Sequence, residues 1–400
     1  MGDIDTLKKR VIDAVEARRD ELVRIADTIH AHPEIAFQEF KSAALLSDTL
    51  EANGFDVERG TAGMETAFVA TLSGQRDEPR IAFLAEYDAL PGLGHACGHN
   101  LIGTAALGAG LAMKTILAGL EGTIQVIGTP AEEGGGGKVI MAQAGIFDGL
   151  AAAIMFHPSS RNLTRRKSLT SFKAIVEFFG QPAHSASSPD QGINALDAVI
   201  QTFNNINALR QHLRDDARVH GIITDGGQAF NIVPDYAAAK FGARAADTVY
   251  AAEVLAKVRA CAEGAALATG ARLEFTQDDS YYEAMMPNHK LADLVDANMA
   301  ALGIEVQLPE PRQRMGSSDM GNVSRVAPAL HPYLAICPPE TAGHTVEFRA
   351  AAASPAGYEG MLNAAKMMAM TAVDLLTVPD NVFQVRKAYL EQEQELADKN

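Results

Sequence analysis

Cys97 and His99 stand two residues apart in a Gly-bounded turn, within the run EYDALPGLGHACGHN from Glu86 to Asn100. A thiolate and an imidazole at that spacing can face one cation, because zinc-class metals accept Cys sulfur and His nitrogen. Glu132 and Glu133 form a second pair, in the Gly-rich run that follows a β-rich stretch ending at Ile127. Two adjacent carboxylates there suit a division of labour, one binding metal and one moving protons. His157 follows an apolar strand in MFHP, and His344 lies in a turn in AGHTVEF. Each residue alone has an ordinary structural reading: a small buried thiol, a solvated acidic loop, a hydrogen-bonded histidine. Together, Cys97, His99, Glu133, His157 and His344 are five metal-competent side chains on four strand-end loops, with Glu132 to spare. Five ligands exceed one closed tetrahedral site and fit two metals sharing a bridging ligand. The glycines at 134–137 resemble a phosphate cradle, but no Lys-Ser/Thr pair follows, which rejects a P-loop.

The elements that must position these groups follow from periodicity. Leu7, Val11, Val15, Leu22, Ile25 and Ile29 recur at helical spacing, and a second helix over about Glu39 to Ala52 stops at Asn53-Gly54. Short strands, Phe68–Leu72, Ile81–Leu84, Thr123–Ile127 and Ala152–Phe156, alternate with helices, one of them Gly/Ala-rich from Gly98 to Leu117. That alternation predicts an α/β fold with a mostly parallel sheet, whose ligands gather at the strand C-termini. Between about 167 and 283 the order becomes β-α-β-β-α-β, an inserted ferredoxin-like α+β domain. The expected division is therefore 1–166 with 284–400 as a discontinuous metal-binding catalytic domain, and 167–283 as the insertion.

The chain has 400 residues, 47% of them hydrophobic and 21% charged, enough apolar material for two cores. Its formal net charge of −16 disfavours nucleic acid and anionic lipid as partners. With 3 cysteines, no disulfide framework is available, and the N-terminal stretch has no apolar signal-peptide core. Longer apolar runs such as Leu101 to Met113 are broken by Gly and fall short of a membrane span. These features read as a soluble, cytoplasmic protein.

The stretches HPEIAFQEF, EYDALPGLGHACGHN, PAEEGGGG, MFHP, QPAHSA, NIVPD and GHTVEF occur in order over most of the chain, from about Ala26 to Leu376. In this they resemble the M20 metallopeptidase and amidohydrolase family. The branch most similar holds aminobenzoyl-glutamate hydrolases, N-acyl amino acid amidohydrolases and dipeptidases related to aminoacylase-1. The resemblance implies two divalent metals per subunit held by Cys97, His99, Glu133, His157 and His344, with Cys97 bridging and Glu132 as general base. Residue types favour zinc, with manganese or cobalt as alternatives. Asp88 matches an Asp that orients a metal-binding His two residues earlier; here that earlier position is Glu86, so Asp88 is expected to support a ligand. Asn100 replaces a common Asp and favours the aminobenzoyl-glutamate and dipeptidase side of the branch. The resemblance further implies that the insertion is a dimerisation (lid) domain of a homodimer. His184 would reach the neighbouring subunit's site and hold the oxyanion, Asn231 and Arg244 would hold the substrate carboxylate, and Gly316 and Ser317 would offer backbone groups, with Asp319 in support. The expected reaction is hydrolysis of an amide bearing a free carboxylate. Two other readings stay open: Cys97 as nucleophile with a histidine base, and a non-catalytic binding protein on the same fold.

Overall fold

Leu7, Val11 and Val15 share one helix face, and all three are buried in α1 (Ile4–Ala17). Leu22, Ile25 and Ile29 do the same in α2 (Arg19–Ala31), after a break at Arg18. The computed structural model describes residues 3–308 and 315–398. Helix α3 (Phe40–Ala52) ends where Gly54 takes a φ of 87°, a left-handed turn that suits glycine. Next come β1 (Asp56–Arg59), β2 (Phe68–Ser73), β3 (Arg80–Ala85) and α4 (His99–Leu117). They are followed by β4 (Thr123–Gly128), α5 (Gly137–Gln143), β5 (Ala152–Ile154) and β6 (His157–Ser159). A β-α-β-β-α-β series occupies the middle of the chain: β7 (Thr170–Phe179), α6 (Ala195–Arg210), β8 (Arg218–Asp225), β9 (Tyr236–Ala245), α7 (Thr248–Thr269) and β10 (Arg272–Gln277). The chain closes with α8 (His289–Ala301), α9 (Met320–Val323), β11 (Ala329–Leu330), β12 (Tyr333–Ala335), α10 (Val346–Ala351), α11 (Pro355–Thr377) and α12 (Pro379–Ala397).

The chain divides into two compact units, one of residues 1–167, 285–314 and 319–400, the other of 168–284 and 315–318. Residues 315–318 fall outside the 284–400 segment in which the sequence places them. Leu169 N donates to the Gly316 carbonyl at 2.8 Å and holds them to the inserted unit.

In the first unit the sheet order is β1-β2-β4-β3-β5-β11. Strands β4, β3, β5 and β11 run parallel, while β2 is antiparallel to both neighbours. A small parallel pair, β6 with β12, stands beside it. Helix α4 packs on β3 and β4 and is covered by α1, α2 and α11. It has the length and apolarity of a membrane span, yet 89% of its apolar window is buried within the fold.

The second unit has its own core. Its sheet order is β10-β7-β9-β8, antiparallel throughout, with α6 and α7 packed against each other and against the sheet. Phe172, Val176, Phe178, Phe241, Val254 and Val258 fill the space between sheet and helices. Strand β8 lies at the sheet edge and exposes Ile222 and Ile223.

Close approach of α4 to the end of β3 fixes where the chain beyond β3 emerges. A Cβ at Gly103 would stand 2.8 Å from the Glu86 carbonyl oxygen and 3.0 Å from Leu46 Cδ1. Gly103→Val is therefore expected to cost about 1–3 kcal/mol by overpacking. The measurement is urea unfolding, where the midpoint falls and the slope is unchanged.

Candidate metal centre

Because β3, β4 and β5 are parallel, their C-terminal ends reach the same edge of the sheet. Glu86 and Asp88 follow β3, Glu132 and Glu133 follow β4, and His157 follows β5. Cys97 and His99 flank Gly98 at the start of α4. Gly98 has φ 81°, and a Cβ there would lie 2.5 Å from Pro158 Cγ, so glycine alone lets both donors approach the His157-Pro158 turn. His344 has φ 60° and donates its backbone N–H to the Ala96 carbonyl at 3.0 Å, which fixes its loop beside Cys97.

The five metal-competent side chains expected from the sequence come together. One donor atom from each of Cys97, His99 and His157 lies within 4.8 Å of the others, and the same holds for Cys97, Glu133 and His344. Cys97 is common to both groups. A third group, His99, Glu132 and Glu133, meets the same limit. His157 Nδ1 lies 2.7 Å from the Pro158 carbonyl oxygen and must donate to it, so Nε2 carries the lone pair and faces Cys97 Sγ at 3.4 Å. Asp88 pairs through Oδ1 with His99 Nδ1 at 3.0 Å and accepts the Glu133 backbone N–H on Oδ2 at 2.9 Å. It thereby orients one donor and holds the loop of another. Nε2 of His99, Oε1 of Glu133 and Oε2 of Glu86 are buried without a hydrogen-bond partner. Buried polar atoms left open and convergent fit divalent cations.

Electrostatics point the same way. Burial, reinforced by Glu86, Asp319 and Glu133, raises Glu132 well above the usual carboxylate range. Burial and the nearby His99 push His157 down to about 3, so its imidazole is neutral. Glu133 stays below its ordinary value, since His344 and His99 outweigh the effect of burial. Asp88 is likewise held low against burial, chiefly by His99. Burial pushes the Cys97 thiol up, the opposite of what a free thiolate nucleophile needs. The neighbouring His157 is a poor base at that pKa.

A lysine at the end of the Gly-rich run completes the charge pattern, and sequence reasoning did not single it out. Lys138 is fully buried; its Nζ pairs with Glu86 Oε1 and with Asp319 Oδ1 at 3.0 Å, and its backbone N–H donates to Asp319 Oδ2 at 3.0 Å. Glu86, Glu132 and Asp319 also form a donor group of metal-binding dimensions, with the Lys138 ammonium already paired to two of the three. Glu86 therefore has a place in the site, where the sequence offered it only as a departure from a His. Asn100 is buried and donates to the Ala26 and Ala352 carbonyls, a packing role.

The remaining expected residues lie in the second unit. His184 is exposed, and its Nδ1 accepts from Ala186 N and Ser187 N, both at 3.2 Å. That fixes the proton on Nε2. Ser185 N donates to the Asn231 carbonyl at 3.1 Å, so His184 and the exposed Asn231 are neighbours. Arg244 is half-buried on β9, in register with Ser171 and Arg218. Gly316 is exposed, and the Ser317 hydroxyl oxygen is buried without a hydrogen-bond partner.

Comparison with known proteins gives this geometry a family. The model of peptidase family M20/M25/M40 matches residues 82–368. An Xaa-Arg dipeptidase of Mus musculus is 35% identical over 97% of this chain and 93% of its own. A p-aminobenzoyl-glutamate hydrolase polypeptide of Escherichia coli K12 is 38% identical over 73% of this chain and 64% of its own. A solved Bacillus subtilis structure, described as a dinuclear metal-binding peptidase of family M20, shares the fold with a TM-score of 0.69. Its 22% identity covers 90% of this chain and 99% of that one. On the family match and the near full-length dipeptidase relative, this chain belongs to peptidase family M20/M25/M40 and is an amide- or peptide-bond hydrolase of that family.

Proposed function

We propose that the chain hydrolyses a dipeptide or an N-acyl amino acid with a free carboxylate, using two divalent cations held by Cys97, His99, Glu133, His157 and His344. The observation that carries this reading is that Cys97 is common to two three-donor groups, with Glu132 next to Glu133 in a third. When bound, the cations supply Lewis acidity toward the carbonyl oxygen and lower the pKa of water. Thiolate and imidazole donors favour zinc; manganese and cobalt suit the carboxylate and imidazole share.

Glu132 acts as general base. It takes the proton of the attacking water as the C–O bond forms, then passes it to the leaving nitrogen as the C–N bond breaks, giving a carboxylate and an amine. Burial and anionic neighbours favour its protonated form, so it holds the proton between the two steps. His184, with its proton fixed on Nε2, is a ready donor for the oxyanion, acting across a dimer. Asn231 and Arg244 take the substrate carboxylate, with Gly316 and Ser317 as backbone contacts. The edge strand β8, with Ile222 64% exposed, supports pairing of the inserted unit with its copy in a homodimer. For the leaving residue, a basic C-terminal amino acid is the first choice. The relative matching 97% of the chain is an Xaa-Arg dipeptidase, and a net charge of −16 draws cationic substrates.

Elemental mass spectrometry is expected to find close to two equivalents of metal per chain, falling in His344→Ala. Wild-type protein that takes up no zinc, manganese or cobalt would overturn the metal centre. Against a panel of Xaa-Arg dipeptides, p-aminobenzoyl-glutamate and N-acetyl amino acids, Glu132→Gln is expected to lose about 10²–10⁴-fold in kcat with its metal retained. Full turnover in that variant removes Glu132 from the role.

A further inference from the structure

The described residues with a positive φ other than glycine are Phe37, Ala62, Ala131 and His344. Ala131 immediately precedes Glu132. A left-handed backbone costs a residue with a side chain about 1–2 kcal/mol, and it persists where surrounding contacts over-determine it. At Phe37 and Ala131 one side chain supplies those contacts. Glu39 is fully buried, and its Oε1 accepts the backbone N–H of both Phe37 and Ala131, each at 3.0 Å. Its Oε2 accepts from the Thr66 hydroxyl at 3.0 Å. The Thr66 carbonyl in turn accepts from the buried Tyr87 hydroxyl at 2.5 Å, and Tyr87 lies between Glu86 and Asp88. The Ala131 carbonyl accepts from Gly135 N and Gly136 N at 2.9 and 2.7 Å, and a Cβ at Gly135 would fall within 2.2 Å of the Phe37 ring. Both polar groups of Ala131 are thus fixed, and Phe37 seats the glycine loop.

We infer that Glu39 is a positioning residue for the reaction: it aims the Glu132 carboxylate by holding Ala131 in its left-handed conformation. The inference rests on the reading of Glu132 as base. Glu39 touches none of the proposed ligands; Glu133 is anchored separately, through Asp88. Losing Glu39 therefore disturbs the base more than the metal. A glutamine keeps an oxygen for both N–H groups and turns its amide toward the Thr66 hydroxyl. Burial, with Asp88 nearby, brings Glu39 to about 7, so a neutral amide is a close mimic.

The test compares metal-loaded wild type, Glu39→Ala, Glu39→Gln, Thr66→Val and Glu132→Gln. Amide hydrogen exchange over 129–137, which needs no substrate, is read beside kcat and KM on alanyl-arginine and p-aminobenzoyl-glutamate. In Glu39→Ala, exchange is expected to rise about tenfold, the loss of one buried acceptor. Turnover falls about 10- to 100-fold from a misplaced base, with KM and metal content close to wild type. Glu39→Gln restores both readings, and Thr66→Val gives a smaller change in the same direction. Wild-type exchange and kcat in folded Glu39→Ala, or a loss that tracks metal content or is not rescued by Gln, overturns the inference. Should Glu39→Ala fail to fold, unchanged exchange in Thr66→Val does so; if neither probe is cleaved, exchange alone decides. Full turnover in Glu132→Gln overturns the base reading instead, and an inactive Glu132→Gln beside a fully active Glu39→Ala overturns only this inference.

Discussion

Negative charge at one edge of a buried sheet is the constraint around which the first unit is built. Glu86, Asp88, Glu132, Glu133 and Asp319 gather at the ends of strands whose cores are apolar, and burial works against ionisation of every one. Such a cluster is tolerable only with compensating cations. Lys138 supplies one permanently, between Glu86 and Asp319. His99 compensates Asp88, and His344 compensates Glu133. The charge left over, centred on Glu132, is what divalent cations would balance, so ligand binding and fold stability are linked at this edge.

The same edge is where the backbone departs from regular conformations. Ala131 and His344 are left-handed beside Glu132 and Cys97, and Gly98 separates two donors in a turn that only glycine fits. Strain of this kind is held in place by rigid neighbours. Here they are the parallel strands behind the loops and the buried helix α4, whose first residue is itself a donor.

Much of this was legible in the sequence, and what was missed has a common cause. Alternation and helical spacing located β2, β3, β4, α4 and the β-α-β-β-α-β series, since each is a local pattern of burial. The five donors were legible because they follow strands, and α/β sheets place ligands there. Lys138 was not: its partners lie 52 and 181 residues away, and next to four glycines it reads as a failed phosphate loop. Glu39 was hidden in the same way, 92 residues from Ala131 in a segment whose periodicity announces only a helix start. Buried charges paired over long separations leave no local signature. Strand β1, with sequence DVER and mostly exposed, has no apolar alternation to find. Residues 315–318 changed units because one backbone bond to Leu169, again distant in sequence, decides their place.

The division into units also divides the chemistry. Every donor of the candidate metal centre, the proposed base and the residues that orient them belong to the first unit, whereas His184, Asn231, Arg244, Gly316 and Ser317 belong to the second. The donor set is therefore complete without any residue of the inserted unit. A substitution in that unit leaves the charge balance around Lys138 untouched, because no partner in the balance comes from it. Substrate preference is then free to vary through the inserted unit, whereas exchanging any one carboxylate at the sheet edge alters the electrostatics of all the others. Within this family, that asymmetry lets one cation-binding scaffold serve relatives with different named substrates, such as an Xaa-Arg dipeptidase and a p-aminobenzoyl-glutamate hydrolase.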